Sequence, residues 1–202
     1  MLLPLLSSTQ ASADAVHHLR HATAALHERL DQGLPLARAE ADLADYAQHL
    51  VVLRNWQLAL APWLMRTASD LSSLALIAHD LADCAGHANA SATARRAAGA
   101  VDMAPLRQAD DGSDAFCWGV SYVLEGSRLG GQVLYRRLHL QLAPHPLRYL
   151  GERTACGPSW AETLASLRRH LHGDAARASG CAGAVAAFEM LLQGFEDAGC
   201  LP

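Results

Sequence analysis

The sequence predicts an all-α fold, a single domain of about seven helices with no sheet. Apolar residues recur at helical spacing along most of the 202 residues,. Alternation of period two is absent over any useful length, and Val, Ile, Thr and aromatic residues are sparse,. At 51% hydrophobic and 18% charged residues, the chain is long enough to bury a core and still enclose a pocket,. Residues 1–12 are expected to be a flexible N-terminal segment and 13–202 the helical domain.

Over residues 14–31, Val16, Leu19, Leu26 and Leu30 fall on a helical period with Thr23 between them, and Ser12 is the expected N-cap,. Gly33 and Pro35 break the chain. A long amphipathic run over 40–63 carries Leu43, Tyr46, Leu50, Leu53, Trp56 and Leu60, and should end near Pro62,. A third run covers 71–84, and the alanine-rich 90–101 reads as a helix or a short connection. After a loop at 110–114, residues 115–142 read as one long helix stopped by Pro144 and Pro146,. Two more close the chain: 158–172, with Pro158 near its first turn, and 178–198, carrying Val185, Phe188, Leu191, Leu192 and Phe195,. There is no internal repeat,.

A net charge of -4 offers no general attraction to nucleic acid or to an anionic membrane,. All 16 basic residues other than histidine are arginine, so a bound anion must be held by guanidinium, histidine or backbone N–H. Cysteines 84, 117, 156, 181 and 200 are odd in number and include no C-x-x-C pair, which argues against a disulfide framework or a zinc knuckle and points to a reducing cytoplasm,. Ala11-Ser12-Ala13 mimics a signal-peptide cleavage site, but the apolar run 2–6 is short, is broken by Pro4 and follows no basic residue,. No stretch is expected to supply the ~20 apolar residues of a membrane span.

The segment 122–134, YVLEGSRLGGQVL, is helical at both ends yet carries Gly126, Gly130 and Gly131, each weakening a helix by roughly 1 kcal/mol relative to alanine,. Tyr122, Gly126, Gly130 and Val133 share one face with Leu129 beside them,. Two readings stay open on this geometry. Either a second helix packs closely on the glycines, or a flat ligand lies against bare backbone, with Gly130-Gly131 allowing a kink. Glu125 and Arg128 interrupt the apolarity, which excludes a membrane dimer motif,.

YVLEGSRLGGQVL resembles the distal-helix motif of heme oxygenases, and LRHATAALHERLD, residues 19–31, is similar to the first helix of that family. HDLADC at 79–84 and GPSW at 157–160 are similar to bacterial members that supply bacteriophytochromes. The resemblance covers nearly the whole chain and implies a heme-oxygenase-like fold. It implies His27 as the proximal iron ligand, with Arg20 and Thr23 on adjoining parts of the same helix and Arg20 near a propionate. It also implies Tyr122, Gly126, Gly130 and Gly131 on the opposite, distal face, where glycine backbone crowds bound oxygen towards the ring edge without offering an acid. Ser127 stands where some members carry an aspartate that organises water. His17, His18 and His21 are expected to be solvated.

The activity implied is oxidative opening of heme, at once cofactor and substrate, to biliverdin, carbon monoxide and ferrous iron. Electrons would come from a ferredoxin, a reductase or a small reductant, since the chain has no Gly-rich dinucleotide fingerprint,. A bacteriophytochrome is a possible acceptor of biliverdin. Arg136-Arg137 and Arg168-Arg169 are the paired charges available for docking a donor,. The chain departs from the family at Ala161 and Ala165, where basic residues that pair with propionates are common, leaving Arg168 and Arg169 as substitutes. It departs again over 148–157, RYLGERTACG, where Tyr149 reads as a core aromatic,. Two other functions stay open: a heme-binding or heme-delivering protein of the same fold that does not turn over, and a helical protein without heme.

Overall fold

The structure, a computed structural model, describes residues 6–201 apart from 68, 98, 100 and 153–157, with side chains described from residue 15 onward save 95, 96 and 152. Gly157 and residues 153–156 of the divergent tract ahead of it therefore lie outside the described residues. Among those described there are nine α-helices and no strand: α1 Leu6–Gly33, α2 Leu43–Leu64, α3 Ser73–Cys84, α4 Ala88–Arg96, α5 Ala104–Ala109, α6 Asp114–Leu138, α7 Arg148–Glu152, α8 Trp160–His170 and α9 Gly173–Asp197. The expected all-α class holds. The count exceeds the expected seven because α5 and α7 are too short to show a helical period, and 88–96 proves to be a helix,.

Several ends are set by capping chemistry. Asp42 accepts from Ala44 N–H at 2.8 Å and Asp45 N–H at 2.9 Å, while the Asp45 carboxylate accepts from Asp42 N–H, a reciprocal box opening α2,. Ser159 and Glu162 form the same box at α8, and Ser113 caps α6 through Phe116 N–H. The second helix ends at Leu64, close to Pro62 as expected. Two other boundaries differ from expectation. Ser12 lies inside α1, which begins at Leu6. The long helix α6 stops at Leu138, before Pro144 is reached.

The core forms around α9. It packs on α1, α2, α5 and α6, and Trp56 of α2 donates its indole N–H to Ala187 O at 2.9 Å. Contrary to expectation, α9 is long and apolar enough to cross a membrane by length and composition. Half of its most apolar window is buried against the neighbouring helices,. Helices α6 and α9 approach closely: a Cβ on Gly183 would fall 2.2 Å from Phe116 O. Helices α8 and α9 each contact both α1 and α6, so these two helices share a common floor.

Candidate functional site

Thr23 and Tyr122 join α1 to α6. Thr23 is fully buried and donates its hydroxyl to Leu19 O at 2.9 Å. The side chains of Thr23 and of the exposed Arg20 reach the Tyr122 phenol, and both act to lower its pKa; burial is the larger effect and raises it overall,. Trp160 of α8 lies beside the same phenol, ring centroids 5.9 Å apart. Three residues expected at the site, Arg20, Thr23 and Tyr122, are thus brought together.

One turn beyond Thr23, His27 is exposed as a residue, yet its ring packs on Phe188 of α9 with centroids 4.5 Å apart and planes at 74°. The imidazole is therefore shielded on one side while open on another. Partial burial holds its pKa below the ordinary 6.5, and the Asp31 carboxylate one turn along opposes that shift,. At neutral pH the ring is uncharged and retains a lone pair.

One turn beyond Tyr122 on α6, the glycines separate into two kinds. Gly119, Gly180 and Gly183 are where helices touch: a Cβ on Gly119 would fall 1.8 Å from Gly180 O. Gly126 and Gly130 have open space: beyond their chain neighbours and the local helix backbone, no atom of the described residues lies within 4 Å of an added Cβ. Gly131 is buried, and a Cβ there would meet Leu150 at an ordinary 3.6 Å. All three lie in unbroken helix, and none has the positive φ that favours glycine,. Neither helix packing nor backbone conformation accounts for Gly126 and Gly130. Beside them Leu129 is 41% and Val133 65% exposed, an open apolar strip on the same side of α6.

Glu125 and Arg128, which the sequence places in the middle of the motif, turn inward. They pair at 3.0 Å, both buried, and Arg128 donates to Asp70 O at 3.2 Å. The polar groups thus leave the glycine face to apolar residues. The Ser127 hydroxyl donates to Leu124 O at 2.7 Å, the local helix bond that competes with any outward role,. On α8, Ala161, Ala165, Arg168 and Arg169 are all exposed. Tyr149 is a core aromatic whose hydroxyl accepts from Gln57 at 3.1 Å, and His17, His18 and His21 are exposed as expected. Phe188 and Asp31 went unrecognised in the sequence, where helical spacing marks them only as a core aromatic and a surface acid; Trp160 stood in the GPSW motif without a role of its own.

The similarity found is to a heme oxygenase. Over 78 residues the chain is 40% identical to the heme oxygenase of Xanthomonas campestris pv. campestris (strain 8004), a match covering 38% of this chain and 47% of that protein. The match thus spans about half of the relative's length. No protein-family model and no solved structure matches the chain.

Proposed function

We propose that the protein is a heme oxygenase, opening the porphyrin ring to biliverdin, carbon monoxide and ferrous iron with O2 and electrons from an external ferredoxin or reductase. The observation that carries this reading is the open backbone at Gly126 and Gly130 beside the exposed Leu129 and Val133. Glycines that serve neither packing nor a special φ, next to uncovered apolar surface, suit a flat apolar ligand. The similarity to a heme oxygenase supports heme as that ligand.

The residues fit heme. His27 offers a neutral imidazole, oriented by Phe188, as the axial ligand,. Arg20, exposed and reached by the Tyr122 phenol, would meet a propionate, and Gly126 and Gly130 would leave the distal face without side chains,. Bound there, heme would supply both the iron that activates O2 and the ring that is opened. With the Ser127 proton committed to Leu124 O, ordered water is the source of protons on the distal side,. Gly131 contributes to the wall of α6 and not to the open face. The reaction would proceed in the cytoplasm, and a bacteriophytochrome could use the biliverdin.

The same Ser127 geometry, together with alanines at 161 and 165, favours a second reading as a heme-binding protein that does not turn over. One titration separates the readings. Hemin is added to purified protein, then ascorbate or ferredoxin with its reductase in air, with catalase present. The oxygenase predicts a Soret band that decays as biliverdin absorption grows, and loss of that decay in His27→Ala. A Soret band that survives reductant supports the binder, and no spectral change on adding hemin rejects both.

A further inference from the structure

Asp80 of α3 is a fully buried carboxylate away from the His27 region. It accepts from the Tyr46 hydroxyl at 2.6 Å, from Tyr149 N–H at 2.8 Å, and from Arg148 through N–H at 3.2 Å and guanidinium at 3.3 Å. Two of these donors are first-turn N–H groups of α7, which have no partner within their own helix. The corner leading into α7 is tied to the same residue. His145 Nδ1 accepts from Leu147 N–H at 3.1 Å, so the proton is on Nε2, which faces Asp80 O at 3.3 Å,. Leu147 holds a left-handed φ of 50°, a conformation that leucine adopts only where its surroundings impose it,. Asp80, Asp83 and His145 present their ligand atoms within 4.8 Å of one another. Arg148 already bridges both carboxylates, however, so this cluster is a helix cap with its own cation.

Helix α7 in turn lies against α6. Leu150 is 3.6 Å from the position of a Cβ on Gly131, and the Tyr135 ring approaches Gly151 so closely that a Cβ there would stand 2.8 Å from it. Both contacts fall on the half of α6 that carries Gly130. We propose that Asp80 is a positioning residue: by capping α7 it fixes the brace that holds the glycine-bearing half of α6. Its consequence for heme rests on the function proposed above, whereas the brace itself does not.

Hydrogen exchange on the protein without hemin tests the brace. In Asp80→Ala, amides 130–138 exchange about tenfold faster or more, while those of 114–122 and of α1 keep their rates. Asp80→Asn, which keeps one acceptor for the Tyr149 N–H, recovers much of the protection. Equal acceleration in every helix, or none over 130–138, overturns the proposal. Should Asp80→Ala fail to fold, Leu150→Ala removes one of the two α7 contacts with the cap intact and must accelerate exchange over 130–138 without accelerating 114–122. The exchange experiment needs no hemin, so its failure sinks the brace, and a failed hemin titration sinks the function.

Discussion

Gly119 of α6 and Gly180 of α9 meet backbone to backbone, with 1.8 Å between the Gly180 carbonyl oxygen and the place a Cβ on Gly119 would occupy. Neither helix can yield without separating from the other. Gly119→Ala should therefore destabilise the protein by about 2–3 kcal/mol as an overpacked core substitution. Gly126→Ala and Gly130→Ala should raise stability by about 0.5–1 kcal/mol each, since alanine is the better helix former and the space is open,. Urea denaturation without hemin checks the opposite signs; a loss at Gly126 would restore the packing reading.

The same open glycines should be costly to fill once heme is present. Gly130→Leu is expected to fold normally and to slow reductant-driven loss of the Soret band about tenfold or more, roughly 1.4 kcal/mol in the barrier. Single-turnover spectra of the two proteins at matched hemin occupancy give the comparison, and equal rates would place the ligand elsewhere.

Removing the Tyr122 hydroxyl loosens the link between α1 and α6 at Thr23 and Arg20. Tyr122→Phe should cost about 1 kcal/mol of stability, the scale of a buried hydrogen bond. Arg20→Ala leaves Thr23 buried and should weaken hemin binding by about three- to tenfold with little loss of stability. Hemin affinity and thermal melting, measured on both variants, separate the link from the anchor.

Alkali should unfold the protein through its buried thiols. Burial raises Cys84 and Cys200 from 9.0 to about 11, with Asp80 and Asp83 adding at Cys84 and Asp45 at Cys200. Folding favours the neutral thiol, so this contribution is complete below the unfolded pKa and is lost as pH rises through the folded value. Stability should fall between pH 9 and 11. In the Cys84→Ala/Cys200→Ala double variant the slope should flatten, leaving the part due to Tyr46, Tyr122, Cys117 and Cys181, whose pKa values are also raised, mainly by burial. Melting temperatures across that range decide it.

Helix class and the long helices were legible because each depends on local spacing, whereas His27 stood out only through the family resemblance. The split among glycines was not legible. Gly119 and Gly126 look alike as small residues on one helix, and only the position of α9 makes one a contact and leaves the other open. Glu125 and Arg128 likewise read only as charges interrupting the apolar run until the fold turns them inward as a buried pair. Asp80 was visible only within a short motif resembling the family, because its partners Tyr46 and Tyr149 are distant in sequence.

Periodicity and capping residues by themselves determined an all-α chain, since hydrogen bonds within a helix and its apolar stripe are set by residues three and four apart. Tertiary packing decided which faces remain uncovered. With α9 beneath α1 and drawn against one stretch of α6, the space over Gly126 and Gly130 stays open, an outcome fixed by contacts between helices far apart in the chain.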